Sequence, residues 1–124
     1  MPTLEQWRSF YDSWAGRDPR LASTGRPTSE AEFARLGATL AHWLQLDGDE
    51  RALDVGCAAG MLTSQWAPRA AAVVGVDFSA RLVDEARQRH GGERLEFEVA
   101  EAAALPFADG SFDAVACVSV IEHV

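Results

Sequence analysis

The second half of the chain alternates short apolar runs with helical stretches, and this rhythm limits the fold more than any other feature of the sequence. Strands that alternate with helical crossovers of this length form parallel sheets. Continuous runs such as AAVVGV and AVACVSV are typical of strands that helices cover on both faces. The sequence therefore predicts an α/β fold. Strands are expected at Ala52–Val55, Ala72–Val76, Leu95–Val99 and Asp113–Val120, with helices at Met61–Ala67 and Ala80–His90 between the first three.

The first 50 residues have helical patterns instead. A helix is expected over Thr3–Trp14, where Thr3 and Gln6 stand at the spacing of a capping box. A second amphipathic helix is expected from Ser29 to about Leu44. The chain is thus predicted to consist of an N-terminal helical lid or cap segment, residues 1–50, and a sheet-containing half-domain, residues 51–124.

Charge and composition exclude several classes of partner. The 124 residues include 11 basic and 19 acidic side chains, for a formal net charge of −8, which repels nucleic acid and anionic lipid. No run approaches the ~20 apolar residues of a membrane span, and the start MPTLEQWRSF lacks the pattern of a signal peptide. Cys57 and Cys117 have no metal-binding spacing, and we expect both to be reduced and buried. A cytoplasmic protein without a metal is predicted.

Polar chemistry is expected at the carboxyl ends of the strands, where an open parallel sheet forms a crevice for ligands. The first strand ends in LDVGCAAGM, where Gly56 and Gly60 permit a tight turn and a close approach of the backbone to a ligand. Asp77 ends the second strand, about 20 residues after Asp54, which is the distance at which a carboxylate meets the ribose of a bound nucleoside. These residues predict a nucleoside site.

A dinucleotide is a poorer ligand for this loop than a cationic nucleoside. Ala58 stands at the second glycine of the GxGxxG pattern, and Gly60 comes one position too early. Asp54 would also repel a pyrophosphate. An oxidoreductase that uses NAD(P) is therefore the less favoured alternative, whereas S-adenosylmethionine carries a sulfonium, an α-amino group and a ribose diol without a phosphate.

The second half of the chain resembles the class I S-adenosylmethionine-dependent methyltransferases, in particular the small-molecule type. Four collinear blocks carry the resemblance: LDVGCAAG at 53–60, VVGVDFS at 73–79, EVAEAAALPFADGSFDAV at 98–115 and SVIEHV at 119–124. The resemblance implies a Rossmann-like sheet of strand order 3-2-1-4, S-adenosyl-L-methionine as cofactor, and in-line methyl transfer to a small-molecule acceptor. It also implies that further strands of the fold, beyond the fourth, are missing here.

The resemblance assigns the methionine end of the cofactor to the first loop. Asp54 and the backbone of Gly56, Cys57 and Ala58 would hold it, and Gly60 would let the next helix start close beneath. The family has glycine where Ala58 stands, so weakened binding is expected.

The adenosine end is assigned to the second and third strand ends. Asp77 would accept from the ribose hydroxyls, and Phe78 would pack on the adenine. Glu101, which is often Asp in relatives, would accept from the adenine amino group, and the Ala102 amide would donate to a ring nitrogen. Ser119 would lie beside the methyl-transfer centre.

Two assignments compete with plain structural interpretations. His123 is a candidate general base, although Glu122 and His123 could simply close the fourth strand and cap a helix. Tyr11 resembles an aromatic residue that closes over the cofactor in relatives with an N-terminal lid, although an aromatic stripe is more often core.

The fourth strand, AVACVSV, is expected to form an open apolar edge. A non-catalytic cofactor-binding or assembly module, which pairs through this edge with a second copy or a partner chain, is therefore the alternative to an enzyme.

Overall fold

The computed structural model describes residues 3–13, 29–108 and 110–117, with the backbone alone for Leu4, Trp7, Phe10 and Tyr11. The helices are α1 (Leu4–Asp12), α2 (Glu30–Trp43), α3 (Met61–Trp66) and α4 (Ala80–His90), and a 3-10 turn spans Ala67–Arg69. The strands are β1 (Arg51–Val55), β2 (Ala72–Asp77), β3 (Leu95–Val99) and β4 (Ala114–Cys117). The predicted helices and strands are confirmed within these ranges, and their ends agree to within one residue. The predicted ends at Trp14 and Val120 lie outside the described residues.

Side-chain caps define the starts of both N-terminal helices. The N–H of Thr3 donates to Oε1 of Gln6 at 2.7 Å, and the N–H of Gln6 donates to Oγ1 of Thr3 at 3.1 Å. This reciprocal pair is the predicted capping box, and it satisfies two N–H groups that a helix start leaves without partners. Ser29 caps α2 through a hydrogen bond from the N–H of Glu32.

The four strands form one parallel sheet in the order β3-β2-β1-β4, as the resemblance implies. Val55 of β1 lies opposite Val76 of β2 and Cys117 of β4, and Asp77 of β2 lies opposite Val99 of β3. The carboxyl ends of all four strands therefore meet at the same edge of the sheet.

Helices α2 and α3 cover one face of the sheet. Trp66 and Ala41 pack there with Ala52 of β1 in a buried cluster. Gly37 lets α2 approach α3 closely, because a Cβ atom at this position would lie 2.4 Å from Cβ of Gln65. The second predicted helix thus belongs to the same core as the sheet.

The other face is covered by the segment that leads into β4. Leu53, Val55 and Val76 form its buried centre, against which Phe107 and Phe112 pack. The two aromatic rings meet edge to face, with centroids 5.1 Å apart. Loop side chains thus take the place of a helix on this face in the part of the chain that the structure describes.

One prediction about the cysteines is wrong. Cys57 is buried as expected, but Cys117 is exposed. Cys117 stands on β4, which lies at the edge of the sheet formed by the described residues, and its neighbour Ala116 turns to the buried side. Val115 on the same strand is 55% exposed, so the predicted apolar edge is confirmed over Ala114–Cys117.

Candidate functional site

The loop between β1 and α3 turns through three residues with positive φ. These are Gly56 at +85°, Ala58 at +50° and Gly60 at +80°. The N–H groups of Gly56 and Cys57 both donate to the carbonyl oxygen of Val76, at 2.8 and 2.9 Å. The loop is thus fastened to the end of β2, and two of its N–H groups already have partners within the protein.

Asp77 joins the ends of β1 and β2. Its Oδ2 accepts from the N–H of Ala58 at 2.9 Å, and its Oδ1 accepts from the N–H of Ser79 at 3.0 Å. Asp77 as a whole is only 8% exposed. Burial raises its pKa above the ordinary value, although the hydrogen bonds from Ser79 and Ala58 favour the ionised form.

Asp54 is a second buried acid at the same end of the sheet. Its Oδ2 accepts from the hydroxyl of Thr63, on α3, at 2.5 Å. Burial, with a smaller contribution from the nearby charge of Asp77, raises the pKa of Asp54 to about 7, against the hydrogen bond from Thr63. Burial likewise raises the pKa of the Cys57 thiol between these two acids. Cys57 is therefore a packed thiol and not a thiolate nucleophile.

Phe97 of β3 fills the space below the loop. A Cβ atom on Gly60 would come within 2.8 Å of the Phe97 ring, and a Cβ atom on Gly75 would come equally close. Gly60 is therefore required by the packing of Phe97. That Gly60 also lets α3 start close beneath a cofactor stays a prediction.

Arg8 of α1 connects the ends of β2 and β3. Its Nη2 donates to Oε1 of Glu101 at 3.0 Å, and its Nε donates to the carbonyl oxygen of Phe78 at 3.2 Å. The guanidinium carbon also lies 5.7 Å from the centroid of the Phe78 ring. The Ser79 hydroxyl also donates a hydrogen bond to Asp12, which attaches the carboxyl end of α1 to the residues that follow β2.

The structure brings most of the predicted site residues together at this edge. Glu101 and Ala102 follow β3, and both are half-buried. The side chain of Tyr11, with Ser119, Glu122 and His123, lies outside the described residues. Three residues were missed by the sequence analysis: Arg8, Asp12 and Thr63. Thr63 stands nine positions after Asp54, and the other two contact residues at separations of 67 to 93 positions.

The arrangement suits a cationic nucleoside. Asp54 and Asp77 are buried, and neither forms an ion pair within residues 3–13, 29–108 and 110–117. A positively charged ligand would provide the opposite charge that these buried carboxylates lack. A pyrophosphate would be repelled by them. The same residues contain no cluster of His, Cys, Asp or Glu that could hold a metal ion, and no helix among them is long and apolar enough to cross a membrane.

Comparison with known proteins gives a consistent set of relatives. A family model described as a methyltransferase domain matches residues 53–124, more than half of the chain. The ubiquinone biosynthesis O-methyltransferase of Burkholderia ambifaria (strain MC40-6) is 35% identical over 102 residues, which are 80% of this chain and 43% of that protein. The chain thus spans less than half the length of this curated relative.

Solved structures agree in fold. The [4+2]-cyclase SpnF is 29% identical with a TM-score of 0.75, covering 92% of this chain and 48% of that one. The magnesium protoporphyrin IX methyltransferase of Synechocystis PCC 6803, solved with bound S-adenosylmethionine, is 24% identical with a TM-score of 0.71, covering 100% of this chain and 65% of that one.

Proposed function

The chain belongs to the methyltransferase domain family, and from this premise we propose that it binds S-adenosyl-L-methionine at the strand-end site and directs methyl transfer to a small-molecule acceptor. The family uses this cofactor as its methyl donor. An oxygen nucleophile is the first acceptor class to test, because the curated relatives are O-methyltransferases.

The observation that carries the proposal is the pair of buried acids at one edge of the sheet. Asp54 and Asp77 lie at the ends of neighbouring parallel strands, beside the loop that turns through positive φ at Gly56, Ala58 and Gly60. The N–H groups of Gly56, Cys57 and Ala58 already donate within the protein. The loop would therefore bind the α-ammonium group of the cofactor through acceptors, with Asp54 nearby.

The adenosine end is proposed to lie between the ends of β2 and β3. The oxygens of Asp77 accept backbone hydrogen bonds from Ala58 and Ser79 and retain further acceptor capacity, so the carboxylate would still accept from the ribose hydroxyls. Phe78 would pack on the adenine, Glu101 would accept from its amino group, and Ala102 would donate to a ring nitrogen.

The chain's contribution to catalysis would be mainly positional. The bound cofactor supplies a methyl group that its sulfonium already activates. Holding donor and acceptor in line gives effective molarities of about 10⁵–10⁸ M in well-oriented reactions. The carboxylates of Asp54 and Asp77 would fix the cofactor against the loop, and Gly60 would allow α3 to start beneath it. His123 is proposed as the general base for an acceptor that must lose a proton.

The test is a binding measurement with matched variants. Isothermal titration calorimetry of the chain should detect S-adenosylmethionine and S-adenosylhomocysteine and give no signal with NAD. Asp77→Asn should weaken the binding of both S-adenosylmethionine and S-adenosylhomocysteine by roughly 1–3 kcal/mol, because a charged acceptor is lost at the ribose. Asp84→Asn, on the exposed side of α4, is the control and should leave affinity unchanged. Tight NAD binding without a response to S-adenosylmethionine would refute the proposal.

The alternative to an enzyme, a non-catalytic cofactor-binding module, predicts binding of the cofactor without transfer of its methyl group. A transfer assay with methyl-labelled S-adenosylmethionine and phenolic acceptors separates the two. Binding without label transfer to any acceptor would favour the non-methylating alternative.

Association through β4 is proposed as a further property. In the described part of the chain the strand lies at the edge of the sheet with Val115 exposed, and a second copy of the chain would pair along this edge. We also propose a cytoplasmic location, which agrees with the free thiols of Cys57 and Cys117.

A further inference from the structure

We propose that Arg8 is a positioning residue for adenine recognition: its guanidinium holds the Glu101 carboxylate where that group accepts from the 6-amino group of the cofactor. The inference rests on the proposed function. It adds a residue from the N-terminal segment, outside the part of the chain that the family model matches.

Arg8 contacts both of the loops between which the adenosine is proposed to lie, one after β2 and one after β3. Nε donates to the carbonyl oxygen of Phe78, and Nη2 donates to Oε1 of Glu101. These acceptors are 70 and 93 positions away in the chain and follow different strands, β2 and β3. Arg8 is therefore a bridge between the two loops, between which the adenine would lie.

Glu101 needs such support more than a shorter acid would. Its side chain is 44% exposed and has three rotatable bonds, so an unsupported carboxylate would occupy many rotamers. Arg8 engages Oε1. A carboxylate has a second oxygen with its own lone pairs, and this one would accept from an amino group while the first is held.

The geometry requires arginine and not merely a positive charge. A guanidinium is planar and donates from Nε and Nη2 at once, whereas a lysine ammonium is a compact point charge on a flexible stem. Lysine at position 8 would reach either Glu101 or the Phe78 carbonyl. The stacking of the guanidinium on the Phe78 ring, at 5.7 Å, would also be lost.

The outer side of Arg8 provides a matched control. Nη1 pairs with Oε2 of Glu5 at 2.6 Å, and the Glu5 side chain is 76% exposed. Glu5→Gln removes an ion pair of the same guanidinium without touching the site. Exposed pairs of this kind contribute little to stability.

The experiment compares two ligands whose bases differ at the 6-position and, with it, in the hydrogen on N1. S-adenosylhomocysteine carries the 6-amino group, and S-inosylhomocysteine carries a carbonyl oxygen there. Titration calorimetry of the native chain should show a preference for the adenosyl ligand. Arg8→Met should lower the affinity for S-adenosylhomocysteine about tenfold, which corresponds to the loss of one hydrogen bond to a charged group. The affinity for S-inosylhomocysteine should change by less than about twofold.

The other variants sharpen the result. Arg8→Lys should give an intermediate preference, and Glu5→Gln should keep the native one. Circular dichroism of each variant shows whether the fold is retained, and Arg8→Lys serves as the test if Arg8→Met is misfolded.

Three outcomes would overturn the role of Arg8. If Arg8→Met weakens the binding of both ligands equally, Arg8 supports α1 in general and not the adenine contact. If both affinities stay unchanged, Arg8 forms only a surface ion pair. If the variant binds more tightly, the Arg8 side chain obstructs the site. Failure of the native chain to bind either ligand is a separate result, because it overturns the proposed function and this inference with it.

Discussion

Ala58 adopts a left-handed backbone conformation that residues other than glycine seldom adopt. Its φ is +50°, in a loop whose other two positive-φ residues are Gly56 and Gly60. For an L residue the left-handed region costs roughly 1–2 kcal/mol. The N–H of Ala58 still donates to Asp77, so the loop retains its attachment to β2 at the expense of local strain.

This strain is measurable by comparing Ala58→Gly with Ala59→Gly. Both substitutions remove one buried methyl group, since Ala58 and Ala59 are 7% and 0% exposed, but only Ala58 has positive φ. Ala58→Gly should therefore leave the free energy of unfolding about 1–2 kcal/mol higher than Ala59→Gly does. Urea denaturation of the two variants checks it, and equal losses would contradict the strain.

At the scale of elements, local signals in the sequence were sufficient for most of the fold. The capping box of Thr3 and Gln6 involves neighbours three residues apart, so its partners are visible in the sequence itself. The strand order followed from the resemblance. Local patterns could not reveal the contact between Arg8 and Glu101, because α1 reaches it only after the sheet has assembled.

The exposure of Cys117 has a similar explanation. An apolar run predicts a strand, but it does not say whether both faces of that strand will be covered. In the described residues Ala116 faces the cluster that α2 and α3 cover, whereas Val115 and Cys117 point to the other face of this edge strand and stay exposed.

The open edge of β4 predicts self-association of the 124-residue chain. Sedimentation velocity should show a concentration-dependent dimer, and Val115→Lys should shift it to monomer, because a charged side chain on an edge strand opposes pairing. Trp43→Lys is the control, since Trp43 is an even more exposed apolar residue (77%) on α2. Loss of the dimer in the Trp43 variant alone would place the contact elsewhere.

For the molecule as a whole, the buried acids make stability depend on pH. The pKa of Asp54 rises from its ordinary 3.8 to about 7 in the folded chain, chiefly through burial. The folded state therefore holds this proton more tightly than the unfolded state does. The resulting stabilisation is complete below about pH 4 and is lost as the pH rises through about 7.

Asp54→Asn should remove this dependence. The free energy of unfolding of the variant, relative to the native chain, should increase between pH 5 and 7 by up to about 1.4 kcal/mol per pH unit and level off above. Urea denaturation at several pH values measures it. A difference that stays constant across this range would show that Asp54 is ionised throughout.

The two-domain division at residue 50 stays a prediction. Ala41 from the first segment and Ala52 from the second share one buried cluster, which the separate helical and strand patterns of the sequence did not indicate. The candidate site likewise draws on both segments, through Arg8 and Glu101. Patterns along the chain identify elements, whereas contacts between segments depend on how those elements pack.

The ring of Phe97 has a consequence for how this chain can vary. It occupies the volume that a side chain at Gly60 or Gly75 would need. A larger residue at Gly75 would be tolerated only after Phe97 became smaller, and a smaller residue at 97 alone would leave a void beneath the loop. A change at only one of these positions thus gives a less stable protein. Related sequences should therefore differ at Gly75 and Phe97 together and not at one of them alone.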